Sequence, residues 1–500
     1  MRIVAMEWDG FGSRCNEILT ALLISKIVGC DFKFTWTKGS REILRHIDDQ
    51  LAYFSPDFVK AHYSKSIKGP IYHLETNSGK GRTELINEMK TSGFRNFRLA
   101  TGTNRNIPVV KDIDTKALYQ ILGEKIWSED VEEIRNVTEL IFNAKQVDNS
   151  IHIRSGDLLF GAWRQYPDIN KYLPTGVVFT FLRKNTFNKF AIISDTFEIS
   201  EVISKNFKNT ISSTLFHNQA NVEDPFIDIQ DLFIMSLSKK VYAPSFSVFS
   251  MVGSRLGGIE TSLIYENFEN EDWISTFKSS LDRQTYEDFR IDTAGKMQAR
   301  DIVWLIDRLW GQLTINELED ATQIAVEADD SFVLALSQHA VLLLIAGNFS
   351  AAESNNASAL EFAQLAKHVH GDPIYYALTT SLVIRNIQTI CALDFSEENI
   401  TQIRNDYSKV FDQSVYQIPK GHEVDPNLRQ ALQIFDELVS KFHHNENIYS
   451  AIDFEKKNSF KNNVLAEFQR NIFEISDYQH FLTRLTRALI KTIEATLSKI

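Results

Sequence analysis

The sequence predicts an α/β protein in which two lobes built on parallel sheets are followed by an all-α C-terminal region. Three observations carry that expectation. The chain opens as strand, loop, helix and strand, the same rhythm resumes near residue 149, and beyond about residue 295 the strand signals give way to long amphipathic helical patterns. A strand that returns through a helix to a second strand pairs with it in parallel, with the helix across one face.

Taken in order, "RIVAMEW" reads as a strand, "DGFGSR" as a loop and "CNEILTALLISKIVG" as a helix. In that helix Ile18, Leu19, Leu22, Leu23 and Ile27 recur at three- and four-residue spacing, and Gly29 supplies the stop. "DFKFTW" completes the first unit, and the helices "ALYQILGEKIW" and "EDVEEIRNVTELIFNAK" close a first lobe over 1–145. A second lobe over 146–290 runs through strand and loop "SIHIRSGD", helix "TGVVFTFLRKN", strand "KFAIISDT", helices "TFEISEVISKNF" and "IQDLFIMSLSKK", and strand and loop "VYAPSFS". The third segment, 295–500, is helical. There Ala340, Gly347, Phe349, Ala352, Ala359 and Leu360 stand at the offsets of a tetratricopeptide-like hairpin, and Ala325 and Val326 fall one such period earlier. A helical cap without true repeats fits the same pattern.

Composition limits the functions available. A chain of 500 residues exceeds the size of one core, and its 43% hydrophobic and 24% charged residues are those of a globular protein. A net charge of -12 argues against a broad nucleic-acid surface. Cys15, Cys30 and Cys391 have the spacing of neither a zinc site nor a disulfide framework. The opening "MRIVAMEWDG" has no basic stretch leading into an apolar core, and no apolar run approaches the roughly 18 residues of a membrane span, so the expected location is cytoplasmic. The wide apolar stripes of the last helices read first as packing faces. They leave peripheral membrane association and homo-oligomerisation through those helices open.

Four loops at strand ends carry residues suited to an anion. Gly10, Gly12, Ser13 and Arg14 lie between a strand and a helix, where backbone amides and the helix dipole can receive a phosphate, although an ordinary tight turn has the same composition. His152 and Arg154 are two apart at a strand end and are expected to emerge on one face, the arginine offering a planar fork to phosphate oxygens. Asp157 follows as either an orienter of Arg154 or the cap of the next turn. Asp195 ends the next strand, and Ser245, Phe246 and Ser247 lead into a further helix. Asp112-Ile113-Asp114, a metal-like pair of acids, reads as a solvated turn, so no metal is expected. Trp163 is either a sugar-stacking face or a core residue.

The order Gly10-x-Gly12-x-Arg14, His152-x-Arg154-x-Gly156-Asp157, Ser194-Asp195, and Asp231-x3-Met235-Ser236-x-Ser238-Lys239 leading to Ser245-Phe246-Ser247 resembles the α1,2-, α1,6- and protein-O-fucosyltransferase superfamily over about residues 1 to 270. That resemblance implies a GT-B fold, two Rossmann-like lobes facing a nucleotide-sugar cleft, and an inverting, metal-independent transfer from GDP-fucose. It implies that Arg154 grips the diphosphate and stabilises the leaving GDP with His152 beside it, and that Gly12 and Ser13 bring backbone amides to the phosphates. Asp231 would recognise the guanine edge, with Ser245, Phe246 and Ser247 near the nucleotide. Known α1,6 members carry a lysine after the motif's aspartate and a glutamate a few residues on; here Leu158 and Ala162 occupy those places. Glu7 and Asp9, at the end of the first strand, are therefore the candidate bases. The expected function is a glycosyltransferase acting on a cell-surface glycan or its precursor. The alternatives are a protein O-fucosyltransferase whose helical domain selects the polypeptide, and a non-catalytic helical interaction protein.

Overall fold

The computed structural model describes residues 1–6, 10–36, 50–74, 80–99, 113–160, 164–165, 171–222, 226–244, 247–259, 261–309, 312–345 and 348–366. The first part contains strands β1 (Arg2–Ala5), β2 (Asp31–Phe34), β3 (Ile71–Leu74) and β4 (Asn96–Leu99). Its helices are α1 (Phe11–Val28), α2 (Gln50–Tyr53), α3 (Pro56–His62), α4 (Arg82–Thr91), α5 (Thr115–Gly123) and α6 (Glu129–Ala144). The second part has β5 (Asn149–Ile153), β6 (Phe190–Ser194), β7 (Thr210–Ser212), β8 (Val241–Tyr242) and β9 (Thr261–Ser262). With them run α7 (Gly156–Leu159), α8 (Thr175–Lys184), α9 (Phe197–Asn206), α10 (Ser213–Gln219), α11 (Ile227–Leu237) and α12 (Val248–Leu256). Then come α13 (Asn270–Leu281), α14 (Ile291–Leu309), α15 (Ile315–Ala328), α16 (Val333–Ile345) and α17 (Phe349–Ala366).

The strands form two wholly parallel sheets, ordered β2-β1-β4-β3 and β7-β6-β5-β8-β9. In the second, β5 is central and the strand order reverses between β5 and β8. That is the switch point where connections leave in opposite directions and open sheets accept ligands beyond their carboxyl ends. The corresponding reversal in the first sheet lies between β1 and β4.

Sixteen of the eighteen residues of α1 are buried. A helix buried on every side must satisfy its polar groups internally. Thr20 and Ser25 donate back to the carbonyls of Asn16 and Leu22, and Asn16 accepts from Arg255 on α12 at 2.7 Å. The helix ends at Gly29, as the sequence indicates, with φ +73° and its N–H bonded to Ser25.

Both sheets belong to one compact unit, and one apolar cluster runs through both, from Ile3, Phe32 and Phe97 to Ile193, Leu232 and Val252. The second unit holds α13 to α17 together with 157–160, 164–165 and 174–180. This division differs from the three segments read in the sequence. The helical unit begins at residue 268, and a segment between β5 and α8 is threaded into it because Leu158 and Leu159 are buried there. Among the described residues no strand follows Ser262, and no helix is long and apolar enough to cross a membrane. Helices α16 and α17 pack closely on one another. Ala340, Ala352 and Ala359 are fully buried, Ala325 of α15 is buried too, and Val326 and Leu360 are partly buried against the cluster formed by Val333, Leu336, Ala359 and Ala363. Gly347 lies outside the described residues.

Candidate functional site

The carboxyl ends of β1 and β8 each lead into a helix, and the two helix starts abut. A Cβ placed on Gly12 would stand 2.7 Å from Phe249 Cα and 3.0 Å from its backbone nitrogen. Glycine at residue 12 is therefore what lets the first turn of α1 lie on the first turn of α12. Residues 11–13 of α1 have no earlier turn to donate to, and the first intrahelical bond is Arg14 N–H to Gly10 O at 3.2 Å. Two positive helix ends are thus held side by side.

Arg14, expected among the phosphate-binding residues, is buried in the structure. It is buried with its guanidinium 5.0 Å from the Trp36 ring centroid, and Phe11 of the same turn packs on Trp36 and Tyr53. Ser13 is partly exposed on the same turn.

At β5 the strand ends at Ile153, so Arg154 belongs to the loop and does not share a strand face with His152. The histidine is a correction to the sequence reading. Its ring is 4% exposed, its Nδ1 lies 2.6 Å from Ser250 Oγ and 3.3 Å from Ser247 Oγ, and Phe249 packs on it at 5.3 Å. Burial, and after it the charge of Arg154, hold the imidazole at about 3, well below its usual range. His152 is therefore a neutral group that fixes the first turn of α12, and not a second cation beside Arg154. Ser247 is likewise engaged, because as the N-cap of α12 its hydroxyl accepts the Ser250 N–H.

The loop that carries Arg154 is fastened by Asp195. One carboxylate oxygen, Oδ1, accepts three hydrogen bonds, from Ser155 N, Ser155 Oγ and Gly156 N, each 2.8 Å long. Ser155 Oγ also meets Ser194 Oγ at 2.8 Å. Asp195 thus organises the backbone just after Arg154. Asp157 lies within the first turn of α7, one residue after the helix begins. Arg154 is partly exposed.

Asp231 is buried on α11 and gives one oxygen to His217 Nε2 of α10 at 2.9 Å. The pairing leaves His217 Nδ1 buried without a hydrogen-bond partner, with Phe197 packed on the ring at 5.6 Å. The expected guanine contact of Asp231 thus involves a carboxylate already half engaged by a histidine the sequence reading did not single out. Glu7, Asp9, Ser245 and Phe246 lie outside the described residues, as do Ala162, Trp163 and Asp112. Asp114 caps α5 through the Ala117 N–H.

Glu17 is a second residue the sequence reading missed. Its Oε2 accepts the Met6 N–H at 2.8 Å and its Oε1 accepts from Arg98 Nε on β4, so it grips the end of β1 at the first sheet's switch point. An Asn-Glu pair inside a helix apolar on every side was the available signal, since such groups stay buried only with partners.

No protein-family model matches the chain, and no curated protein is similar to it. Among solved structures, fucosyltransferase NodZ from Bradyrhizobium shares 12% identity at a TM-score of 0.31, over 50% of this chain and 92% of that one. NodZ α-1,6-fucosyltransferase soaked with GDP-fucose shares 11% identity at 0.31, over 51% and 91%. The same enzyme co-crystallised with GDP shares 11% at 0.31, over 50% and 91%.

Proposed function

We propose that this chain is an inverting, metal-independent glycosyltransferase of GT-B architecture that moves fucose from GDP-fucose to a glycan acceptor. The observation that carries the reading is the junction at Gly12 and Phe249, where two helix starts abut within a few residues of the Asp195-fastened loop bearing Arg154. A diphosphate is the ligand chemistry that uses two backbone amide clusters and a guanidinium together. The motif order that resembles the fucosyltransferase superfamily suggests the sugar, while the base, absent from its family position, is assigned to Glu7 or Asp9.

In this reading the acceptor oxygen attacks the anomeric carbon of fucose as the bond from that carbon to the β-phosphate oxygen breaks, and the electron pair leaves with GDP. Charge therefore develops on the diphosphate, and in this reading Arg154 and the amides of residues 11–13 are the groups that receive it. A preorganised donor of that kind contributes about 10²–10³ in rate. His152 keeps α12 in register without adding charge. The acceptor's proton passes to Glu7 or Asp9, which lie between Met6, held by Glu17, and Gly10, where α1 begins.

Calorimetric titration of the purified protein with GDP and GDP-fucose, with EDTA present, tests the reading. Wild type is expected to bind both, and Arg154→Ala to bind roughly 10-fold to 100-fold more weakly through loss of a charge-assisted contact worth about 1.5–3 kcal/mol. If wild type binds neither, or Arg154→Ala binds as wild type does, the reading is wrong.

A further inference from the structure

The helices that leave β6 and β7 bring together two polar groups that the proposed transfer does not use. α9 starts at Phe197, shortly beyond the end of β6, and α10 starts directly after β7. Both therefore begin at the carboxyl edge of the second sheet, where open α/β sheets take ligands. α11, which packs on α10, carries Asp231 in its second turn. All of these residues belong to the first compact unit.

His217 and Asp231 are 4% and 5% exposed, and His217 Nε2 lies 2.9 Å from Asp231 Oδ1. A carboxylate only accepts, so Nε2–H donates and Nδ1 of the neutral ring keeps a lone pair. Nδ1 is buried with no hydrogen-bond partner. Among the described residues, the bond from His217 is the one that Asp231 accepts. A pair kept for stability does not stand in this state. A buried carboxylate with a single donor loses more by desolvation than that bond returns, and apolar residues of the same volume would fill the place better. Two adjacent acceptors short of donors are what a ligand with N–H groups completes. The Phe197 ring, partly exposed and 5.6 Å from the imidazole, adds an aromatic surface beside them.

We infer that His217 sets base selectivity, by holding Asp231 so that its second carboxylate oxygen accepts from the adjacent N–H groups of guanine. His217 is thus a positioning residue that acts through Asp231. Guanine carries N1–H and a 2-amino group side by side, whereas adenine has a lone pair at N1 and no 2-amino group, so it sets acceptor against acceptor. Hypoxanthine keeps N1–H alone and stands between them. Without the bond from Nε2, the carboxylate turns about its Cβ–Cγ bond and no longer matches a planar edge. The inference rests on the proposed function for the presence of a guanine nucleotide, but not for the diphosphate contact or the sugar.

The test is calorimetric titration of the full chain with GMP, IMP, AMP and GDP in EDTA, for wild type, His217→Phe, His217→Asn, His217→Gln and Ile234→Val. Wild type is expected to prefer GMP to AMP by roughly 10-fold to 100-fold, the discrimination a two-point base contact provides, with IMP between. His217→Phe keeps a planar ring without a donor and should weaken GMP about tenfold or more while leaving AMP as it was. His217→Gln puts an amide donor at the place of Nε2 and His217→Asn at that of Nδ1, so the first recovers part of the preference and the second does not. A histidine with only a packing role gives no such order. Ile234→Val trims a buried side chain of the same helix, and is expected to lower the melting temperature and keep the wild-type GMP-to-AMP ratio. A wild-type ratio in folded His217→Phe, or in His217→Asn should the phenylalanine variant not fold, overturns the inference. So does an equal loss of the ratio in Ile234→Val, or a wild type with no preference for GMP. GDP binding no tighter than GMP in wild type removes the diphosphate site and with it the proposed transfer, while the monophosphate ratios still decide the role of His217. Binding of none of the four nucleotides removes both.

Discussion

His152 shows how far one residue's role depends on what surrounds it. Read in the chain, a histidine two before an arginine at a strand end is a second anion donor. In the structure it is a neutral imidazole tied to Ser250 and packed on Phe249, with its folded value near 3 against an ordinary 6.5. The pH consequence has a definite sign. The unfolded chain takes up its proton near 6.5 and the folded ring only near 3, so the stability linked to His152 is fully present above 6.5 and declines as the pH falls towards 3. His62 and His339 are pushed down by burial as well and add to the decline in the same direction. His152→Asn should therefore flatten the dependence of urea-unfolding stability on pH between 6.5 and 3, by at most about 1.4 kcal/mol per pH unit. An unchanged slope in the variant would mean the ring is hydrated and titrates normally. What the sequence could not supply was the environment. Nothing in "SIHIRSGD" shows that Ser247 and Ser250, almost a hundred residues away, close over the ring. The same holds for Asp195, legible as a helix-start acid but not as the acceptor that fastens Ser155 and Gly156.

At the scale of elements, the junction of α1 with α12 is the feature most sensitive to a single atom. Gly12→Ala places a methyl group 2.7 Å from a backbone carbon of Phe249, which no rotamer change relieves, so the two helix starts must move apart. The expected cost is about 1–3 kcal/mol of stability by overpacking, and the proposed function adds a loss of GDP binding, since the two helix starts no longer abut. Thermal denaturation and titration of the variant check both parts, and a variant that melts lower yet binds GDP normally would separate the junction from the ligand. The helices of this protein were legible because their apolar residues keep helical spacing over ten or more positions, as in α6, α8, α9 and α11, and because Gly29 marks a stop. The edge strands were not. β3 has only Leu74 fully covered, and β7 is three residues long, so neither presents a periodic pattern long enough to read. The close packing of α16 on α17 was legible through Ala340, Ala352 and Ala359, small residues that are buried where the two helices meet.

Over the whole molecule, each of the two compact units has its own apolar cluster, one running through both parallel sheets and one through the helices, and the chain first passes from one unit to the other between Gly156 and Asp157. Sequence boundaries near 146 and 295 missed this because periodicity reports the element a segment forms and not the unit it packs into. A segment of loop and short helix carries no such mark. The division has a thermodynamic consequence. A ligand that binds only the folded first unit stabilises that unit by RT ln(1 + [L]/Kd), about 2.7 kcal/mol at a hundredfold excess over Kd, and leaves the intrinsic stability of the other untouched. Unfolding of the full chain should therefore depart from two-state behaviour. Scanning calorimetry is expected to resolve two transitions, of which GDP raises one. Trp36 and Trp127 lie in the first unit and Trp273 and Trp304 in the second, so replacing either pair by phenylalanine shows by fluorescence which transition belongs to which unit. A single transition raised as a whole by GDP would instead make the chain one cooperative body.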